Sequence, residues 1–277
     1  MLPNAVLMNP RIPEYLRPLA QDYLTSVEGA LPGLVTGFYL HGSLALDAFD
    51  PSQSDVDFVA VVSRSCTALD AQSLAAVHQQ LEFAYPKWPM QGSYLLAGDL
   101  GQPLSAPSPH YSDGRLTRDH TDSENPVTWW LLKRRSIALL GPTPDQLGYS
   151  LDRNALNAWL LGNLNSYWRG FTRDPRRMAW LLSDYGVQWA VLGVLRQVHT
   201  LREGDITSKL GAGAYGLETQ PQRWRRLIRE AIAMRQKTGG RLYASRAGRA
   251  LEAIQFLTTT IRTCNQNAAA ESEKVIA

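Results

Sequence analysis

The segment Tyr39-Leu40-His41-Gly42-Ser43, followed eleven residues later by Asp55-Val56-Asp57, constrains this 277-residue chain more than any other. Residues 34–40 (LVTGFYL) form a short apolar run of β-formers and read as a strand. Residues 55–62 (DVDFVAVV) read as a second strand, almost wholly apolar after Asp57, as in the middle of a sheet. The Gly-Ser pair breaks the chain between them, residues 44–49 suit a short helix, and 50–54 (DPSQS) have the composition of a loop. Side chains alternate across a strand, so Asp55 and Asp57 face the same way. Two carboxylates at the start of a strand make a hard-oxygen site suited to Mg²⁺, with positions left open for phosphate oxygens. Two such ions would clamp the attacking and leaving oxygens of an in-line displacement. Glycine lets backbone N–H groups approach a phosphate closely, and the Ser43 hydroxyl adds a donor. Taken alone, a Gly-Ser pair is mostly a turn and Asp-x-Asp mostly a solvated strand end. The ordered set of strand, turn, spacer, acid pair and strand is what carries meaning.

Around this core the periodicities predict a helix over 14–30, with Leu16, Leu19, Tyr23 and Val27 on one face, and another over 68–85. A third strand is expected at 91–97 (QGSYLLA). Residues 98–126, rich in Gly, Pro, Ser and Asp, read as a long irregular insertion, and 127–140 as a helix or a helix–strand pair. Beyond about residue 150 the pattern becomes helical over 152–171, 175–202, 221–237 and 245–264, with a frayed tail from 265. The expected class is therefore α+β: residues 1–150 as an N-terminal domain with a small mixed β-sheet flanked by helices, and residues 151–277 as a C-terminal helical bundle domain.

The net charge of +3 is unevenly placed. Residues 1–150 hold 9 Lys/Arg against 15 Asp/Glu, a net of −6, and residues 151–277 hold 19 against 10, a net of +9. Either a cleft with two differently charged walls or merely uneven surface charge would produce this. The modest total argues against nucleic acid as the partner. Two cysteines make neither a metal cluster nor a disulfide scaffold. No secretion signal or membrane-spanning run is visible, so a soluble, cytoplasmic monomer is expected. No G-x-x-x-x-G-K-[ST] loop is present, which argues against a P-loop kinase.

The segment YLHGSLALDAFDPSQSDVDFVAVV (39–62) resembles the signature of the DNA polymerase β-like nucleotidyltransferase superfamily. More narrowly, it is similar to the aminoglycoside nucleotidyltransferases that adenylylate streptomycin and spectinomycin. NPVTWWLLKRRSIALLGP (125–142) and VLRQVHTLREGDITSKLGAGAYGLE (194–218) resemble the same family. The resemblance implies that ATP is the co-substrate, with Mg²⁺ on Asp55 and Asp57 and with Gly42, Ser43 and Ser54 at the phosphates. An antibiotic hydroxyl would attack the α-phosphorus and expel pyrophosphate. It implies further that Lys209 is a phosphate-binding lysine and Arg196 a companion arginine, and that the acceptor-binding acid lies near Asp184. For Lys209 the bland alternative is a solvated loop lysine, and for Arg196 a helix-face ion pair.

One position departs from the family. A hydroxyl nucleophile calls for a general base on the next strand, and the family has a glutamate there. This chain has Gln91. An amide can accept a hydrogen bond from the hydroxyl but cannot take its proton. Three readings stand open: a Glu→Gln variant that traps a substrate complex, a natural member with altered activity, or a base supplied by Glu82 or Asp99. Two rivals also stand, a non-catalytic nucleotide-binding or regulatory module and a nucleotidyltransferase acting on RNA or another small molecule. For RNA, the run Arg223, Arg225, Arg226 and Arg229 would have to track the backbone.

Overall fold

The computed structural model describes residues 9–103, 107–120, 125–239 and 241–276. The chain divides into two compact units, Met1–Asp152 and Arg153–Ala277. The first contains, in order, α1 (Arg17–Ala30), β1 (Val35–Leu40), α2 (Gly42–Ala45), β2 (Val56–Val62), α3 (Ala68–Ala84), β3 (Met90–Leu96), β4 (Ser108–Ser112), β5 (Arg115–His120), α4 (Pro126–Arg134) and β6 (Ile137–Leu140). The strands form one mixed sheet in the order β5-β4-β3-β2-β1-β6. Among the described strands only β2 and β3 are parallel; every other neighbouring pair is antiparallel. That single parallel pair follows from α3, which carries the chain back so that β2 and β3 start at the same end.

The central strands are buried on both faces. Phe38, Leu40, Phe58, Ala60, Met90 and Tyr94 pack with Leu19, Tyr23, Leu74 and Val77 of α1 and α3. Tyr39, Val59, Val61 and Leu95 point the other way and pack with Trp129 and Leu132 of α4. On the first face, His78 of α3 is 1% exposed, hydrogen-bonded to the Tyr94 hydroxyl at 2.7 Å and stacked on Tyr111. Burial lowers its pKa to about 3.

The structure corrects the expected irregular insertion over 98–126. Its described part contains the β4–β5 hairpin, turned at Asp113-Gly114, both with positive φ. The run read as a loop because turn-forming residues punctuate two short polar strands, and edge strands need little apolar character. The 127–140 segment resolves into α4 and β6.

The second unit is helical: α5 (Arg153–Asn163), a π-helical turn at Leu164–Trp168, α6 (Pro175–Trp180), α7 (Asp184–Glu203), α8 (Lys209–Thr219), α9 (Arg225–Gln236) and α10 (Arg246–Ile276). α7 is its core, with Val187, Val191, Val194, Leu195 and Val198 packed against residues of α9 and α10. Two features differ from the expected pattern. Residues 209–219, where no helix was expected, form α8, and α10 continues through the tail expected to fray. Among the described residues, no helix is long and apolar enough to cross a membrane.

Candidate active site

Gly42 enters α2 with φ +58, and a Cβ there would lie 1.8 Å from Asp57 Oδ2. Only glycine lets the turn and that carboxylate meet. The His41 N–H donates to the Asp57 carbonyl at 2.9 Å, which ties the end of β1 to the start of β2. The Ser43 Oγ is buried and has no hydrogen-bond partner among the described residues. The loop ahead of β2 is braced by Asp50. Its Oδ1 accepts from the Ser52 N–H and hydroxyl at 2.9 and 2.8 Å, and its Oδ2 from the Gln53 amide. Ser54, 7% exposed, returns the contact, its hydroxyl accepting the Asp50 N–H at 3.0 Å. The Ser54 hydroxyl is thus engaged in holding the loop that delivers Asp55, and its own proton is left for any donation to a phosphate. Asp55 directly precedes β2 and is exposed, while Asp57 is half-buried within it.

Gln91 pairs with Asp57 in the parallel register of β2 and β3. Paired residues in a parallel register point to the same face, so the Gln91 side chain stands beside Asp57, and it is exposed. Neither alternative base reaches this spot. Glu82 borders the same gap as His78, Leu81 and Met90, on the α1 and α3 face, opposite to Asp57. Asp99 lies in a 3-10 turn past the far end of β3, roughly 17 Å or more along the strand from Gln91 at 3.3 Å per residue.

Among the described residues no group of three or more His, Cys, Asp or Glu side chains is placed to hold a metal ion. With an amide at 91, this face offers two acids, Asp55 and Asp57. The site nonetheless fits the implied group. Two carboxylates suit a cation that keeps several other oxygen ligands, and the orphaned Ser43 hydroxyl beside the glycine turn suits a phosphate.

In the helical unit, Lys209 is the first residue of α8, so it stands at the electropositive end of a helix rather than in a loop. Ser208 caps that helix, accepting the Gly211 N–H at 3.0 Å. The Arg196 Nε donates to the Thr207 carbonyl at 3.0 Å, which binds the α8 entry to α7. The Lys209 Nζ lies 4.6 Å from the centre of the Trp189 ring. Trp189 stacks on Tyr185, which in turn meets Trp180, and the last two are substantially exposed. Asp184, the first residue of α7, has a partner of its own. Its Oδ1 pairs at 2.8 Å with Arg249, which is 1% exposed and also contacts the buried Glu230 at 3.3 Å. Of the arginine run considered for RNA, Arg226 pairs with Glu252 at 2.6 Å and Arg225 donates to the Leu217 carbonyl at 3.2 Å. Those two are therefore engaged within the unit.

Residues 172–259 match the family model of the aminoglycoside adenylyltransferase C-terminal domain. The match covers α6 to α9 and the first half of α10, and so includes Asp184, Arg196 and Lys209. The fold of the chain is similar to that of spectinomycin adenyltransferase AAD(9) from Enterococcus faecialis, whose crystal structure is described as holding ATP and spectinomycin. The TM-score is 0.65 at 17% sequence identity, over 88% of this chain and 98% of the other. No curated protein matches the chain. The family match supports reading the chain as a nucleotidyltransferase, and the structural likeness is one of fold.

Three supporting residues escaped the sequence reading. Arg11 donates to the Ala45 carbonyl at 2.7 Å and to the Arg135 carbonyl at 2.8 Å, so it fixes the end of α2 and hence the Gly42-Ser43 turn. Asp50 shapes the loop before Asp55, and Ser208 starts α8. The last two carry a usable signal, Asp and Ser being turn and cap formers. Arg11 has none, because its partners are carbonyls 34 and 124 residues away.

Proposed function

We propose that the protein transfers AMP from ATP to a hydroxyl of an aminoglycoside-type antibiotic, streptomycin or spectinomycin, as a cytoplasmic monomer. The observation that carries this reading is the meeting of Gly42, Asp57 and Gln91: a turn that only glycine can make against the carboxylate, with the third position of the site in register beside it. Asp55 and Asp57 would hold Mg²⁺, which when bound neutralises charge on the phosphate oxygens. Ser43, with Ser54 and the backbone of the Gly42 turn, would donate to those oxygens. Lys209 and Arg196 are the cations assigned to the triphosphate, and the dipole of α8 adds to the charge of Lys209. The exposed rings of Trp180 and Tyr185 offer the flat faces suited to a cationic, polyhydroxylated acceptor, with Asp184 as its acid.

In this reading Gln91 positions the attacking hydroxyl by accepting its hydrogen bond, and the proton leaves to water as the oxygen bonds the α-phosphorus and pyrophosphate departs. Turnover is therefore slow, and Gln91→Glu raises it roughly tenfold or more, the scale of a positioned general base. The test is pyrophosphate release on a panel containing both antibiotics, run for the chain and for Gln91→Glu. Release with neither antibiotic by either form would contradict the proposal. The amide at 91 favours one second reading, a module that binds Mg·ATP without turning it over. Tight nucleotide binding with no release even in Gln91→Glu would support that instead.

A further inference from the structure

The helical unit contains a groove of about 600 Å³ that includes none of the residues assigned to the proposed site, lined by Arg169 and Arg173 from the segment after α5 and by Arg262, Asn265 and Gln266 from α10. No described carboxylate lines it, and none of the three arginines forms an ion pair with a described residue. Three other arginines of the unit are ion-paired: Arg177 with Asp174, Arg226 with Glu252, and Arg249 with Asp184 and Glu230. Three guanidinium groups facing one hollow repel one another unless an anion lies among them.

The backbone here is also unusual. Leu164–Trp168 is a π-helical turn, a wider and rarer winding than the α-helix, and one that recurs at functional sites. It displays Asn165 toward α10, where Asn165 and Asn265 exchange hydrogen bonds at 2.8 and 3.0 Å and fix the floor of the groove. Arg169 follows directly on the π turn, and the Thr172 hydroxyl donates to the Arg169 carbonyl at 2.9 Å, which steadies the segment bearing both arginines.

We infer that this groove is a second anion site, which takes a small polyphosphate compound of up to nucleotide size. Guanidinium forks match phosphate oxygens two at a time, and the volume lies in the range of small-molecule pockets. The inference does not depend on the proposed transfer reaction.

The probe is inorganic pyrophosphate in EDTA at low salt, added to the full chain and followed by thermal shift and by calorimetry. Pyrophosphate should raise Tm, and Arg169→Gln with Arg262→Gln should weaken its binding roughly tenfold or more, since each removes charge-assisted hydrogen bonds. Arg262 is exposed and Arg169 half-buried, and circular dichroism checks that the pair of substitutions leaves the fold intact. Lys209→Gln, in the machinery assigned to ATP, should leave this binding unchanged. The inference fails if pyrophosphate does not bind, if the Arg169→Gln and Arg262→Gln protein binds it as well as the parent, or if Lys209→Gln alone abolishes it. It also fails if single-stranded RNA binds through these arginines while pyrophosphate does not, because the groove would then track a nucleic-acid backbone.

Discussion

Gly42 shows how a residue with no side chain can decide a site. Its φ of +58 costs any other residue about 1–2 kcal/mol, and the added methyl would strike the Asp57 carboxylate. We expect Gly42→Ala to lower Tm by several degrees in thermal denaturation and to abolish pyrophosphate release, whereas Gly33→Ala, which shares the positive φ but faces open space, lowers Tm alone. His78 bears on stability rather than chemistry. Its folded pKa of about 3 lies below the ordinary value near 6.5, so between these limits the unfolded chain binds the extra proton. The stability contributed by neutral His78 is complete above about pH 6.5 and is lost as the pH falls toward 3. Chemical denaturation from pH 7 to 4 should show that loss, and a flatter profile in His78→Phe. At this scale the sequence was informative where chemistry is local: Gly42, Asp55 and Asp57 lie within sixteen residues of one another. The fact that Gln91 stands beside Asp57 needed the register of two strands joined by a helix.

At the scale of elements, α8 is the clearest lesson. Its sequence, KLGAGAYGLET, holds three glycines, poor helix formers that mask the pattern. Gly213 and Gly216 are there because a Cβ would collide with Ile232, Leu192 or Leu195, so close packing rather than propensity made the helix. Its start depends on the Ser208 cap, and Ser208→Ala should cost about 1 kcal/mol, read by urea denaturation. If Lys209 binds triphosphate as proposed, the same substitution raises the KM for ATP more than it lowers kcat. The β4–β5 hairpin escaped for the converse reason, its short polar strands being hydrogen-bonded into an edge that no apolar alternation announces. The strands β1, β2 and β3 were legible because each is a short apolar run between turn formers.

Across the whole molecule, the change from a strand-bearing half to a helical half was visible in the spacing of apolar residues. The interactions that hold the helical unit together were not. Arg249, Glu230 and Asp184 come from three helices and form one network around a guanidinium that is 1% exposed. Removing Arg249 strands a buried carboxylate, so Arg249→Met should destabilise the protein by about 3–5 kcal/mol in chemical denaturation. Asp184, half exposed at 48%, should cost far less when changed to Asn. A rise in the KM for antibiotic in Asp184→Asn, with Tm nearly unchanged, would give it the acceptor role; a fall in Tm with KM unchanged would leave it only the partner of Arg249. The central claim is that the Gly42-Ser43 turn and the Asp55 and Asp57 pair form an AMP-transfer site. Its most direct test is a single-turnover experiment with ATP labelled at the α-phosphate, streptomycin, spectinomycin and Mg²⁺, using Gln91→Glu with and without Asp57→Asn. The expected result is label on one of the antibiotics with Gln91→Glu, and at least about a hundredfold less when Asp57→Asn is added, the scale of losing a main electrostatic stabiliser. Equal labelling by both proteins would contradict it.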